Sequence, residues 1–218
     1  FLFERQFQFP EGGNYLSYLL PGVCAMTVIQ SSSQAGILFI KDFQTGFFGR
    51  FHYTSSPKAI FLFFKIFADF SRIFIQVIIL VLIGMAMGVS HFYITIQGVF
   101  FATAAIFLFT YFYASLSSFI ALRTKQSELM ATFVHLFSLP IIFTSTALVP
   151  SKGLPDWLNA IAQYNPLSHL GDIIRYNTMG VDYGRTTEGI SSFGLLAVLA
   201  VVSFTGCLLY LRSIKYNQ

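Results

Sequence analysis

Charge is scarce in this sequence. Asp, Glu, Lys and Arg make up 10% of its 218 residues, against about 25% in an average soluble domain. Cysteine is almost missing as well. Cys24 and Cys207 both lie in apolar stretches, so there is no disulfide framework and no CxxC metal pattern. Several reactive motifs are absent too. Without GxxxxGK[ST] the chain has no phosphate loop of its own, and without HExxH or GxSxG it has no zinc-protease or serine-hydrolase signature. Gly171-Asp172 matches half of an intramembrane aspartyl-protease motif, but no second intramembrane Asp stands with it to share a proton. Energy for work on a substrate must therefore come from a partner or a gradient.

What is abundant is apolar surface. Hydrophobic residues are 55% of the chain and phenylalanine alone accounts for 27 residues. The composition is that of an integral membrane protein, and one membrane domain uses the whole length. The formal net charge of +4 does not call for nucleic acid, because basic residues in such a chain set its orientation.

Five transmembrane helices are expected, over residues 15–40, 59–89, 96–122, 127–148 and 190–211. In the first, Pro21-Gly22 falls in the opening turns. Ser31, Ser32, Ser33, Ala35 and Gly36 make a small-residue surface suited to close packing, with a polar pathway lining as the alternative. The second carries Lys65, Asp69 and Arg72 at i, i+4 and i+7, an intramembrane charge cluster on one side whose members are expected to pair and snorkel. In the third, Phe100, Phe101, Phe107, Phe109, Tyr111, Phe112 and Tyr113 read as lipid-facing, with a glycan track as the alternative. In the fourth, Glu128 suits the helix start and Pro140 should kink the helix. His135 reads as a hydrogen-bonded packing residue, with a proton relay as the alternative.

Two polar stretches interrupt the spans. Residues 41–58 mix basic and aromatic side chains: Phe47, Phe48, Arg50, Phe51 and Tyr53 fall within seven positions. Residues 148–175 predict two short amphipathic helices. Pro155 and Asp156 suit a first turn, and Leu154, Trp157, Leu158, Ile161 and Ala162 share a face. Asn165-Pro166 then restarts the pattern as cap and first turn, with Leu167, Leu170, Ile173 and Ile174 on the next apolar face. Such helices should lie in the interface or dip back into the bundle.

The polar segments divide by sign. Residues 41–72, the 123–128 turn and the tail hold nine Lys or Arg and three acids; the remaining polar segments hold four and six. The protein is expected in a plasma or inner membrane, with the basic side and the C-terminus in the cytoplasm and Phe1 on the other side.

The punctuation of the second stretch resembles the ABC type-2 export permeases: Val149-Pro150, Leu154-Pro155-Asp156-Trp157-Leu158, Asn165-Pro166-Leu167, Asp172 and Arg175 keep the family's order and spacing. Pro21-Gly22, Asp42, Gly46, Arg50 and Ser56-Pro57 extend the likeness. The resemblance implies an all-α bundle of six transmembrane helices, of which five fall here; a first span would precede Tyr15, so a piece of a longer subunit is expected. It implies a cytoplasmic coupling helix at about 43–57, in which Phe47, Phe48, Arg50, Phe51 and Tyr53 contact an ABC ATPase subunit. It also implies extracytoplasmic gate helices at about 154–179, carrying Trp157, Leu158, Asn165, Pro166, Asp172 and Arg175. A second permease copy or a related permease would complete the pathway. ATP and Mg would sit in the partner ATPase, with no cofactor in this chain, and the cargo would be hydrophobic, drug-like, lipid or glycan. Two other classes stay open on the residues alone: a secondary carrier or channel using Asp69, His135 or Glu128, and a membrane scaffold without transport.

Overall fold

The computed structural model describes residues 15–45, 58–89, 95–179 and 189–213. Every regular element among them is helical. In chain order they are α1 (Tyr15–Ser33), α2 (Ala35–Gln44), α3 (Lys58–Ala86), α4 (Ile96–Thr124), α5 (Ser127–Phe143), a 3-10 turn (Ser151–Gly153), α6 (Asp156–Ala162), α7 (Pro166–Met179) and α8 (Gly189–Ser213). Four stretches are long and apolar enough to cross a membrane: Leu16–Asp42, Lys58–Ala86, Ile96–Thr124 and Ser191–Leu211. The chain is an integral membrane protein built as a helical bundle.

Helix α4 is the central element and packs against α1, α2, α3, α5, α7 and α8. Small residues let its neighbours approach: Ala102, Ala105, Ala114, Ser115, Ser117, Ser118 and Ala121 are all buried. The aromatic run on α4 divides, which corrects the uniform lipid-facing reading. Phe100 is exposed, whereas Phe109, Tyr111 and Tyr113 are buried. Phe109 and Tyr113 stack one turn apart with centroids 6.0 Å apart. The Tyr111 hydroxyl donates to Phe63 O on α3 at 3.0 Å, and the Tyr113 and Ser138 hydroxyls are 3.1 Å apart. Their polar tips need partners within the bundle, and that need turns the rings inward.

The expected first span is two helices. α1 and α2 are separated at Gln34, and their serines pack rather than line a path: Ser32 and Ser33 are buried, and the Ser31 hydroxyl donates to Gln76 Oε1 on α3 at 2.7 Å. Pro21 stands two turns inside α1. Helix α5 is 17 residues long and stops at Phe143, not at Leu148. The helix and the turn after it together run from Met130, beside Gly36 of α2, to Ala147, beside Gly22 of α1. It ends early where Asn165 Nδ2 takes Ile141 O and the N–H and hydroxyl of Ser145 both turn to Ile142 O.

The two ends of the bundle differ. At one end, Lys58 Nζ donates to Leu211 O at 3.0 Å, Lys65 pairs with Asp42, and the Arg123 guanidinium lies 5.2 Å from the Tyr210 ring centroid. The starts and ends of α2, α3, α4 and α8 that carry the basic residues thus meet. At the other end α6 and α7 follow the turn after α5 as a helical hairpin, of which α7 packs against α1.

Candidate functional site

The hairpin is held by one buried arginine. Arg175, on the third turn of α7, is 1% exposed. Burying a guanidinium costs several kcal/mol unless partners surround it, and they do. Nη1 donates to Asp172 Oδ1 at 2.8 Å, one turn earlier on the same helix. Nη2 donates to Thr146 O and Ala147 O, both at 2.9 Å. Nε donates to Tyr18 O on α1 at 3.3 Å, and the guanidinium carbon lies 3.9 Å from the Tyr18 ring centroid. The fork and the flat face of arginine are both used, which an ammonium could not reproduce.

The turn after α5 needs this arrangement. Ser145, Thr146 and Ala147 are buried, and buried backbone groups outside a helix must find partners. Thr146 O also accepts from the Tyr18 hydroxyl at 2.6 Å. Thr146 N–H donates to Ser168 Oγ on α7 at 3.1 Å. Gly22 allows the turn to rest on α1: a Cβ there would lie 1.8 Å from Ala147 O.

Asn165 and Pro166 act at the start of α7. Asn165 Oδ1 accepts from Leu167 N–H at 2.9 Å, the cap expected from sequence. Its Nδ2 donates to Ile141 O at 2.7 Å and to Thr144 Oγ1 at 3.0 Å, so the same residue also closes α5. Leu167, Leu170, Ile173 and Ile174 are all buried against α1 and α4. On the far side, His169 Nδ1 and Ser192 Oγ of α8 are 2.8 Å apart. Helix α7 is therefore part of the bundle. Helix α6 is not buried in the same way: Trp157 is 67% exposed, Ile161 is exposed and Leu158 is half-buried.

The charge cluster resolves differently from its spacing. Asp69 and Arg72 pair at 3.3 Å on α3, with Asp69 buried. Lys65 does not join them but pairs with Asp42 of α2 and lies over the Phe39 ring at 5.3 Å. The i, i+4 match to Asp69 loses because α2 brings a carboxylate to Lys65 from the neighbouring helix. His135 is exposed on α5, which corrects the reading of it as a packing residue. Phe47, Phe48, Arg50, Phe51 and Tyr53 lie outside the described residues. Tyr18, Gly22, Thr146 and Ser168 were not singled out as site residues. Gly22 had a signal in its Pro-Gly pair; the other three are ordinary residues whose role comes from partners far along the chain.

The described residues form a polytopic membrane bundle with α7 pinned at one end by Arg175. Residues 1–179 match the ABC-2 type transporter family, and the chain belongs to it. Its relatives include a putative transport permease, ycf38, of Cyanophora paradoxa, 27% identical over 212 residues, which are 93% of this chain and 72% of the relative. The putative transport permease ycf38 of Porphyra purpurea is 27% identical over 194 residues, 87% of this chain and 65% of the relative. The daunorubicin resistance ABC transporter permease protein DrrB1 of Streptomyces coeruleorubidus is 25% identical over 192 residues, 85% of this chain and 66% of the relative. The chain thus spans about two thirds of the length of the latter two. It is a transport permease.

Proposed function

We propose that this chain is the membrane subunit of an ATP-driven exporter, paired with a second permease and two ATPase subunits, with its basic end and C-terminus in the cytoplasm. The observation that carries the reading is the position of α1 and α2. One end of this pair is gripped by the Arg175 hairpin through Tyr18. The other end is paired to α3 through Asp42 and Lys65 and leads into residues 46–57. A push on that segment by an ATPase would reach the opposite face of the membrane along one span, through α2 and then α1. The DrrB1 name supports a drug-like or other hydrophobic cargo, and the exposed apolar faces of α3 and α8 suit entry from lipid. The plasma or inner membrane is the setting this implies.

The carrier alternative draws little from the geometry. Asp69 already has Arg72 as its partner, and His135 is exposed on a different helix. The scaffold alternative predicts no substrate-stimulated ATP hydrolysis by the reconstituted complex.

The test is recovery of the ATPase with the permease. Aromatic and arginine side chains are frequent interface anchors, and loss of one hot spot costs about 2 kcal/mol or more, roughly thirtyfold in affinity. The combined Phe47→Ala, Phe48→Ala and Phe51→Ala variant should insert normally and lose the ATPase on purification. Wild-type ATPase recovery at normal membrane levels would rule out coupling through this segment.

A further inference from the structure

The break between α1 and α2 has a specific chemistry. In an uninterrupted helix Gly36 N–H would donate to Ser32 O, and Ser33 O would accept from Ile37 N–H. Here one side chain of α4 serves both sites. The Ser117 hydroxyl donates to Ser33 O at 2.5 Å, and its oxygen accepts from Gly36 N–H at 3.1 Å. A hydroxyl has one proton to give and lone pairs to receive, so a single serine replaces one helical donor and one helical acceptor. In lipid an unsatisfied backbone group costs several kcal/mol; without such a partner the break would be expensive. Gly36 makes the approach possible, since a Cβ there would lie 2.6 Å from Ser117 O and Oγ.

We propose that Ser117 is the latch of a hinge in the first span, and that closing the break at Gln34 into continuous helix is the movement that carries α2 relative to α1. Both halves pack on α4, and α1 also meets α3, where Ser31 bonds to Gln76. They differ at their far ends: α1 is tied to the hairpin by Arg175, whereas α2 ends on α3 through the Asp42–Lys65 pair and the edge contact of Phe39 with Phe61 at 6.2 Å. Closing the break restores both backbone bonds and frees the Ser117 hydroxyl to bond back to Tyr113 O on its own helix, a common serine conformation in helices. Ser117 serves two of the four backbone groups that the break exposes, which lowers the cost of the broken state, and closure pairs Ser32 O and Ile37 N–H as well. α2 is ten residues long, about 15 Å. A kink change of about 20° moves its end by on the order of 5 Å. Only the driving force rests on the ATP-driven reading; the hinge belongs to the permease itself.

Two substitutions push the hinge in opposite directions. Ser117→Ala removes the latch and favours closure. Ile37→Pro removes a donor that only the closed helix needs, and places proline in the first turn of α2, where it is tolerated. Spin labels at the exposed Thr45 and Gln126 report the end of α2, and labels at Gln126 and Ser213 serve as a control pair, with the buried Cys24 and Cys207 replaced by Ala. Distances are measured in the full chain in lipid nanodiscs, first alone and then with its ATPase. Ser117→Ala should shift the Thr45–Gln126 distance by on the order of 5 Å with the control pair unchanged. Ile37→Pro should keep the wild-type distance and abolish any nucleotide-driven change. A wild-type Thr45–Gln126 distance in Ser117→Ala, or an Ile37→Pro complex that still shifts with nucleotide, overturns the hinge. If Ser117→Ala also disturbs the control pair, the Ile37→Pro arm decides. If the wild-type complex shows no nucleotide-driven change, the ATP-driven reading fails and the nucleotide-free Ser117→Ala shift still decides the hinge.

Discussion

Helices α6 and α7 follow each other in the chain, both carry an apolar face, and both open near a proline, yet they end up in different surroundings. α7 lies between α1, α4 and α8 with its apolar face buried. α6 has Trp157 and Ile161 exposed and buries Ala162. The difference lies in their polar residues. α7 offers Asn165, Ser168, Asp172 and Arg175 to a turn whose carbonyls and amides need partners. α6 has seven residues, of which Asp156 and Asn159 are the polar ones. Apolar periodicity identifies a helix that can be buried; the polar partners decide which one is.

This contrast can be broken most severely at Arg175. Arg175→Ala leaves Asp172 and the Thr146 and Ala147 carbonyls without their cation. Breaking a buried pair from one side costs about 3–5 kcal/mol, so unfolding in mixed micelles should begin at much lower denaturant and transport should be lost. Asn165→Ala is the intermediate case. It removes the cap of α7 and the bonds to Ile141 and Thr144, and a lost cap costs about 1 kcal/mol. The same unfolding measurement should show a smaller shift, with ATPase recovery intact. Trp157→Asp is the smallest in stability, within about 0.5 kcal/mol, because the side chain touches little of the fold. Its interfacial ring is suited to anchor α6 at the headgroups, so transport in vesicles should fall more than ATPase binding does. Equal loss of both would mean that α6 contributes to folding after all.

The bundle was legible because apolar runs of membrane length depend only on local composition. The cap at Asn165 was legible for the same reason: its principal partner, Leu167, is two residues away. Asp172 and Arg175 stood out through their spacing, but not their contacts. Tyr18 and Thr146 are 128 residues apart, and nothing local marks either. The break at Gln34 has no proline to announce it, since the group that stabilises it is a serine on α4. The end of α5 was misplaced because one of its last carbonyls, Ile141 O, is taken by Asn165, 24 residues on. Lys65 found Asp42 on another helix in place of the carboxylate one turn away. In each case the deciding partner comes from elsewhere in the chain.

The central claim is that the arginine fork, and not positive charge alone, pins the hairpin to the first span. Hydrogen exchange of the Arg175→Lys permease in nanodiscs tests it most directly, through peptides covering residues 144–149 and α7. An ammonium keeps the charge but cannot reach Asp172, Thr146, Ala147 and Tyr18 together. A loss of about 3 kcal/mol of local stability would speed exchange there by on the order of a hundredfold, while α4 stays protected. Exchange at the wild-type rate in both segments would contradict the account.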